Sequence, residues 1–93
     1  MKTGIAILVV SESSLQLSLT IAKHLPGSNL YSSFESIFTD TIPSIATFLK
    51  EHFNRFEAFV FVGSLGICVR SIAPFITDKH TDPAIVNIDS TGK

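Results

Sequence analysis

The sequence is poor in several features that mark specialised proteins. It contains one cysteine and no tryptophan among 93 residues, so an internal disulfide is excluded and a cytosolic setting fits. Only 16% of the residues are charged and the formal net charge is −1. No basic cluster occurs, which argues against a nucleic-acid partner. No apolar run reaches the length of a membrane span, and the first residues lack a basic n-region and a cleavage site, so we expect no signal peptide. We therefore expect a cytoplasmic protein without a membrane partner.

Apolar residues, in contrast, are abundant and follow a clear pattern. They make up 45% of the chain, which indicates strands that are covered on both faces. Apolar runs of strand length occur at residues 5–10, 59–62 and 84–88. Helical spacing is found at residues 15–25 and 42–53. This alternation predicts a three-layer α/β domain with a mostly parallel sheet, of flavodoxin-like or Rossmann-like type.

Several local signals are weaker or concern the ends of elements. Residues 15–25 also alternate like a strand, but the alternation ends at Ala22, so we predict a helix. Residues 29–33 indicate a short edge strand, and residues 34–41 a Ser/Thr-rich connection. For the helix over residues 42–53, we predict Thr41 as its cap and Pro43 in its first turn.

The stretch with the clearest functional pattern is residues 59–70. A buried strand is followed by Gly63 and Gly66, with Ser64 between them as a candidate helix N-cap and a helix over residues 67–73. Open α/β sheets bind ligands at such a loop, and amide groups at a helix start can hold an anion. The alternative is that the glycines serve only a tight turn and close packing. The pattern matches no dinucleotide fingerprint, P-loop or nucleophile elbow.

Few charged residues follow this strand. Arg70 could turn back toward the loop or point to solvent. Asp78 or Asp82 could act as a base or hold Lys79, although aspartate is also ordinary in a turn. Cys68 is expected to be a small buried hydrophobic residue. The three histidines are too far apart in sequence to indicate a metal site.

Two motifs in this region resemble a known family. They are Val-Gly-Ser-Leu-Gly-Ile-Cys-Val-Arg-Ser-Ile-Ala-Pro at residues 62–74 and Asp-Lys-His-Thr-Asp-Pro-Ala-Ile-Val at residues 78–86. Together they resemble the amino-terminal region of the CbiG family, whose pattern is roughly G-x-x-G-I-x-V-R-x-x-A-P and then D-K-x-x-D-P-A-V-V. The resemblance covers residues 58–93 strongly. The first strand and helix resemble the family only in the type of element and not in their residues. Residues 1–93 are thus identified as an amino-terminal CbiG-like domain.

The resemblance implies an enzyme of anaerobic cobalamin (vitamin B12) synthesis. The family opens a δ-lactone on a cobalt-bearing tetrapyrrole, cobalt-precorrin-5A, and releases acetaldehyde. Cobalt then belongs to the substrate, so no cofactor or protein-bound metal is implied; S-adenosylmethionine enters only if a methyltransferase is fused. Family members continue into a further strand and a Ser-Gly-His, glycine-rich segment. We therefore expect this chain to be a truncated domain, inactive alone.

The same resemblance suggests which residues meet the substrate. Tetrapyrrole intermediates carry acetate and propionate carboxylates, which suit helix-start amides and an arginine fork. The expected substrate-binding residues are Gly63, Ser64, Leu65, Gly66, Arg70 and Lys79. The expected catalytic residues are Asp78 and Asp82, as candidate bases.

Two other functions stay open at this point. One is a non-catalytic substrate-holding module fused to a precorrin-4 C11-methyltransferase. The other is an unrelated anion-binding or structural α/β domain. We also expect the strand at residues 84–88 to form an exposed edge through which the chain self-associates.

Overall fold

Strands and helices alternate along the chain in the computed structural model, which describes residues 3–75 and 82–89. The strands are β1 (Ile5–Val9), β2 (Ser28–Ser32), β3 (Asp40–Thr41), β4 (Ala58–Val62) and β5 (Ala84–Ile88). The helices are α1 (Leu15–Lys23), α2 (Ile45–His52) and α3 (Leu65–Ile72), with short 3-10 turns at Glu12–Ser14 and Ala73–Phe75.

All strand pairs are parallel, in the order β3-β2-β1-β4-β5. The predicted parallel α/β sheet is therefore confirmed. The five-strand order is that of a Rossmann sheet, and the four longer strands alone follow the flavodoxin order. The chain leaves β1 toward β2 and later returns to the other side of β1 as β4. The carboxyl ends of β1 and β4 therefore form the topological switch point, where open α/β sheets bind ligands.

The sheet is buried on both faces because successive residues of a strand point to opposite sides. The helices α2 and α3 cover one face, whose buried residues include Ala6, Leu8, Phe59, Phe61, Phe48, Leu49, Phe53, Cys68 and Ile72. Helix α1 covers the other face, where Ile7, Val60 and Val62 are buried against partly buried Ile21, Ala22 and Leu25. The expected three-layer arrangement is confirmed, and it explains why the strands read as unbroken apolar runs.

Strand β2 is not the edge strand that its sequence suggested. It lies between β1 and β3, and Tyr31 and Ser32 of β2 pair with Asp40 and Thr41 of β3. The Ser/Thr-rich connection therefore ends in a short strand of its own. Two residues are too few to show a period in the sequence.

The start of α2 also differs from the prediction. Ser44 is the N-cap, and its side chain accepts a hydrogen bond from the Thr47 N–H, so Thr41 as cap and Pro43 as a helical residue are wrong. Ile42 is buried although it precedes the helix. Its N–H donates to Ser32 O at 2.8 Å, so Ile42 extends the pairing of β3. Ile42 is apolar because it lies in the core, and its spacing from the apolar residues of α2 happened to match that of a helix.

The two glycines after β4 have different environments. Gly63 is buried, and a Cβ built on it would lie 2.8 Å from Val10 Cβ, which is too close. Gly66 is already the second residue of α3, which begins at Leu65 and not at Ile67. A Cβ on Gly66 would meet only Arg70 Nη2 at 3.9 Å, an ordinary contact. Close packing therefore requires glycine at position 63 but not at position 66.

This contrast predicts opposite effects for the same substitution. Gly63→Ala should lower the free energy of unfolding by about 1–3 kcal/mol, because the methyl group must displace Val10. Gly66→Ala should be neutral or raise it by up to about 1 kcal/mol, because alanine favours a helix interior. Urea unfolding measures both, and Val10→Ala in the Gly63→Ala background should restore part of the loss. Equal effects at the two glycines would contradict the close-packing role.

Candidate functional site

The first turn of α3 begins directly at the carboxyl end of β4. Ser64 Oγ accepts a hydrogen bond from the Ile67 N–H at 3.3 Å, and Ser64 O accepts one from the Cys68 N–H at 3.2 Å. The predicted N-cap is thereby confirmed. The N–H groups of Leu65 and Gly66 belong to the first turn, where no helical carbonyl lies four residues earlier to accept their hydrogen bonds. They lie at the positive end of the helix dipole, which favours an anion.

The Arg70 side chain is turned back toward this helix start. Its Nε donates to Gly66 O at 3.3 Å, and the residue is exposed. Side chains on a helix lean toward its amino end, so this direction needs no unusual geometry. The guanidinium thus lies beside the positive end of α3, where a cation is unfavourable by itself. A bound carboxylate or phosphate would compensate both positive charges.

A cluster of serine hydroxyls lies at the end of the neighbouring strand β1. Ser11 Oγ is 3.0 Å from Ser13 Oγ and 3.2 Å from Ser14 Oγ. The contact between Val10 and Gly63 joins the ends of β1 and β4, so Ser11 and the α3 start lie at the same sheet edge. These serines were not among the residues predicted to form the site. The available signal was a run of hydroxyl residues directly after a buried strand.

Asp82 lies at the amino ends of the parallel strands, opposite the carboxyl ends where α3 begins. It precedes β5, whose first residue, Ala84, pairs with Ala58 at the start of β4. The length of β4, about 16 Å for a strand of five residues, therefore separates Asp82 from the α3 start. The structure does not bring this half-buried aspartate together with the loop. Asp78 and Lys79 lie outside the described residues, and their roles stay predictions.

Cys68 faces the core, as expected. It is 2% exposed, and this burial raises the pKa of its thiol. The reactive thiolate is therefore scarce at neutral pH. Cys68 acts as a packing residue of α3 and not as a nucleophile.

A groove of the described part of the chain lies away from the α3 start. A groove of about 500 Å³ runs along α1, lined by Gln16, Leu19, Thr20, Ala22, Lys23 and Phe38. Over residues 3–75 and 82–89, no group of three histidine, cysteine or acidic side chains could hold a metal ion. Among the helices that the structure describes, none is long and apolar enough to cross a membrane.

Comparisons with known proteins match the region that contains this site. The family model for the cobalamin synthesis G N-terminal region matches residues 47–93. A cobalt-precorrin-5A hydrolase from Salmonella typhimurium is 43% identical over 44 residues, covering 47% of this chain and 12% of that protein. One from Priestia megaterium is 42% identical over 50 residues, covering 54% of this chain and 13% of that protein. The chain therefore spans a small part of these relatives.

The fold has a solved counterpart as well. The crystal structure of a cobalamin biosynthesis protein G homolog from Sulfolobus solfataricus superposes with a TM-score of 0.71 and 25% identity, over 95% of this chain and 26% of that chain. The similarity thus extends to β1, α1 and β2, which precede the segment matched by the family model. Since that model covers half of the chain and includes both recognised motifs, the chain belongs to the cobalamin synthesis G N-terminal (CbiG) family.

Proposed function

We propose that this chain supplies a substrate-binding part of a cobalt-precorrin-5A hydrolase in cobalamin biosynthesis. The observation that carries the proposal is the α3 start at the switch point. There, the Ser64 cap, the first-turn amides and the turned-back Arg70 meet in the segment that the family model matches. The names of the two curated relatives supply the reaction.

The chemistry of the site suits this substrate class. A cobalt-precorrin presents peripheral carboxylates around a large ring, so it can be held at its rim by a few directed donors. Arg70 offers a planar fork that binds a carboxylate through two hydrogen bonds. The amides of Leu65 and Gly66 add donors of fixed direction. Cobalt enters as part of the substrate.

The reaction itself needs further groups. Water must attack the lactone carbonyl, the ring C–O bond must break, and the oxyanion formed on the way must be stabilised. Loss of acetaldehyde then needs a base that takes the proton of the freed hydroxyl: the C=O bond of acetaldehyde forms, the C–C bond to the macrocycle breaks, and its electron pair passes into the conjugated macrocycle. Asp78 and Asp82 are the candidate bases. Because Asp82 lies across the sheet from the α3 start, it would have to act on a different part of the bound ring.

The activity is tested with the full-length protein that contains this domain. We expect it to convert cobalt-precorrin-5A with release of acetaldehyde, which a coupled alcohol dehydrogenase reports through consumption of NADH. Asp78→Asn and Asp82→Asn are compared, and the variant that lacks the base should have a kcat lower by about 10²-fold or more. Binding without acetaldehyde release would contradict the hydrolase and favour the alternative, a holding module fused to a methyltransferase.

Arg70→Lys tests the proposed carboxylate contact. We expect the affinity for cobalt-precorrin-5A to fall by about 1–3 kcal/mol, because lysine lacks the fork. The melting temperature should stay nearly constant, because the side chain is exposed. Arg55→Lys is the matched control: Arg55 is also exposed but follows α2 at the other end of the sheet. Unchanged affinity with a lowered melting temperature would assign Arg70 a structural tie instead.

We also propose that the chain self-associates through β5. On its outer side β5 pairs with no other described strand, and its sequence Ala-Ile-Val-Asn-Ile carries no charge that would protect an edge. The opposite edge, β3, has two residues and includes Asp40. Val86 of β5 lies on the same face of the sheet as α1. Its side chain is 46% exposed, so α1 does not cover this part of the face.

Light scattering on the 93-residue chain tests this proposal. We expect dimers or larger species at micromolar concentration. Val86→Lys should convert them to monomers, because lysine on an edge strand opposes pairing. Thr47→Lys, at an exposed position of α2, should change nothing. A monomer under all conditions would contradict the proposal.

A further inference from the structure

Asn87 is the one polar side chain within the apolar strand β5. It is half-buried, and its register partner Phe61 places it on the face that α2 and α3 cover. Its Nδ2 lies 3.3 Å from Gly63 O and 3.5 Å from Phe61 O. A leucine would fill a similar volume without withdrawing an amide from water. What the amide adds, compared with leucine, is a donor to these two backbone carbonyls.

The hydrogen bond to Gly63 O fixes the direction of the next peptide group. Gly63 N–H donates to Ile88 O at 2.9 Å, so both polar backbone groups of Gly63 point toward β5. The peptide bond to Ser64 is trans, and in a planar trans peptide the N–H points opposite to the C=O. The Ser64 N–H therefore points away from β5, toward β1.

That direction leads to the carboxyl ends of β1 and β4, at the switch point. Val10 approaches from the β1 side, and its N–H donates to Val62 O at 3.3 Å. Within the ranges that the structure describes, no protein acceptor is found for the Ser64 N–H. This amide thus precedes those of Leu65 and Gly66 in the row of donors at the start of α3.

We propose that Asn87 is a positioning residue of the substrate site. By holding the Gly63 carbonyl from β5, it aims the Ser64 N–H at a carboxylate of the bound cobalt-precorrin. The inference rests on the proposed function, and Asn87 itself does not touch the substrate. Without this donor the Gly63–Ser64 peptide can rotate, while the Ser64 hydroxyl still caps α3. Loss of the Asn87 donor should therefore weaken substrate binding and leave α3 intact.

The test uses the full-length protein and cobalt-precorrin-5A. Asn87→Leu should weaken binding about five- to tenfold, the effect of losing one directed hydrogen bond. Its melting temperature should stay close to the wild-type value, because leucine packs at this position. In protein labelled with ¹⁵N-serine, the Ser64 amide resonance of the unliganded variant should shift. Asn87→Gln keeps an amide donor and should recover part of the affinity. Ile85→Val, on the same face of β5, should change neither affinity nor resonance.

Each outcome decides a different question. If the wild type binds and Asn87→Leu binds equally well, the positioning role is overturned while the proposed function stands. A lower melting temperature with an unmoved Ser64 resonance assigns Asn87 a packing role and also overturns the inference. If the wild type does not bind cobalt-precorrin-5A, the proposed function fails and the positioning role fails with it.

Discussion

The close contact between Gly63 and Val10 is the constraint on which the candidate site depends. The two residues follow adjacent parallel strands at the switch point, and the missing Cβ of Gly63 lets the two strand ends touch. This contact determines where the chain leaves the sheet, and so where α3 begins. The Ser64 cap, the first-turn amides and Arg70 all take their positions from that start. A side chain at position 63 would displace them together.

The electrostatics of this edge are unusual for a chain with so little charge. One guanidinium lies beside the positive end of a helix, held by a hydrogen bond to Gly66 O, and serine hydroxyls follow the neighbouring strand. All of these groups can donate hydrogen bonds. A ligand with several carboxylates uses such an edge well, because each donor contributes direction as well as charge. This agreement between site chemistry and family membership is the strongest support for a role in binding a cobalt-precorrin.

Much of the fold could be predicted because its signals are local. The apolar runs of β1, β4 and β5 reflect burial on both faces, and the Ser64 cap needs only a hydroxyl three residues before an amide. The errors arose where a residue served a distant partner. Ile42 looked like part of a helical stripe because it is a core residue, yet its backbone pairs with Ser32 of β2. The motifs after β4 identified the family but not how their residues are arranged in space.

The sequence by itself determined the fold class, the order of the elements apart from β3, and the family, since these depend on patterns within short segments. Only the tertiary structure decided that β2 is interior, that Asp82 lies across the sheet from the α3 start, and that Asn87 meets the Gly63 carbonyl. Strand order and register are chosen by packing between segments far apart in the chain, and no local pattern encodes that choice. In a parallel sheet, residues that follow a crossover helix return to the amino edge. Nearness in sequence to a loop at the carboxyl edge therefore does not place them in the same site.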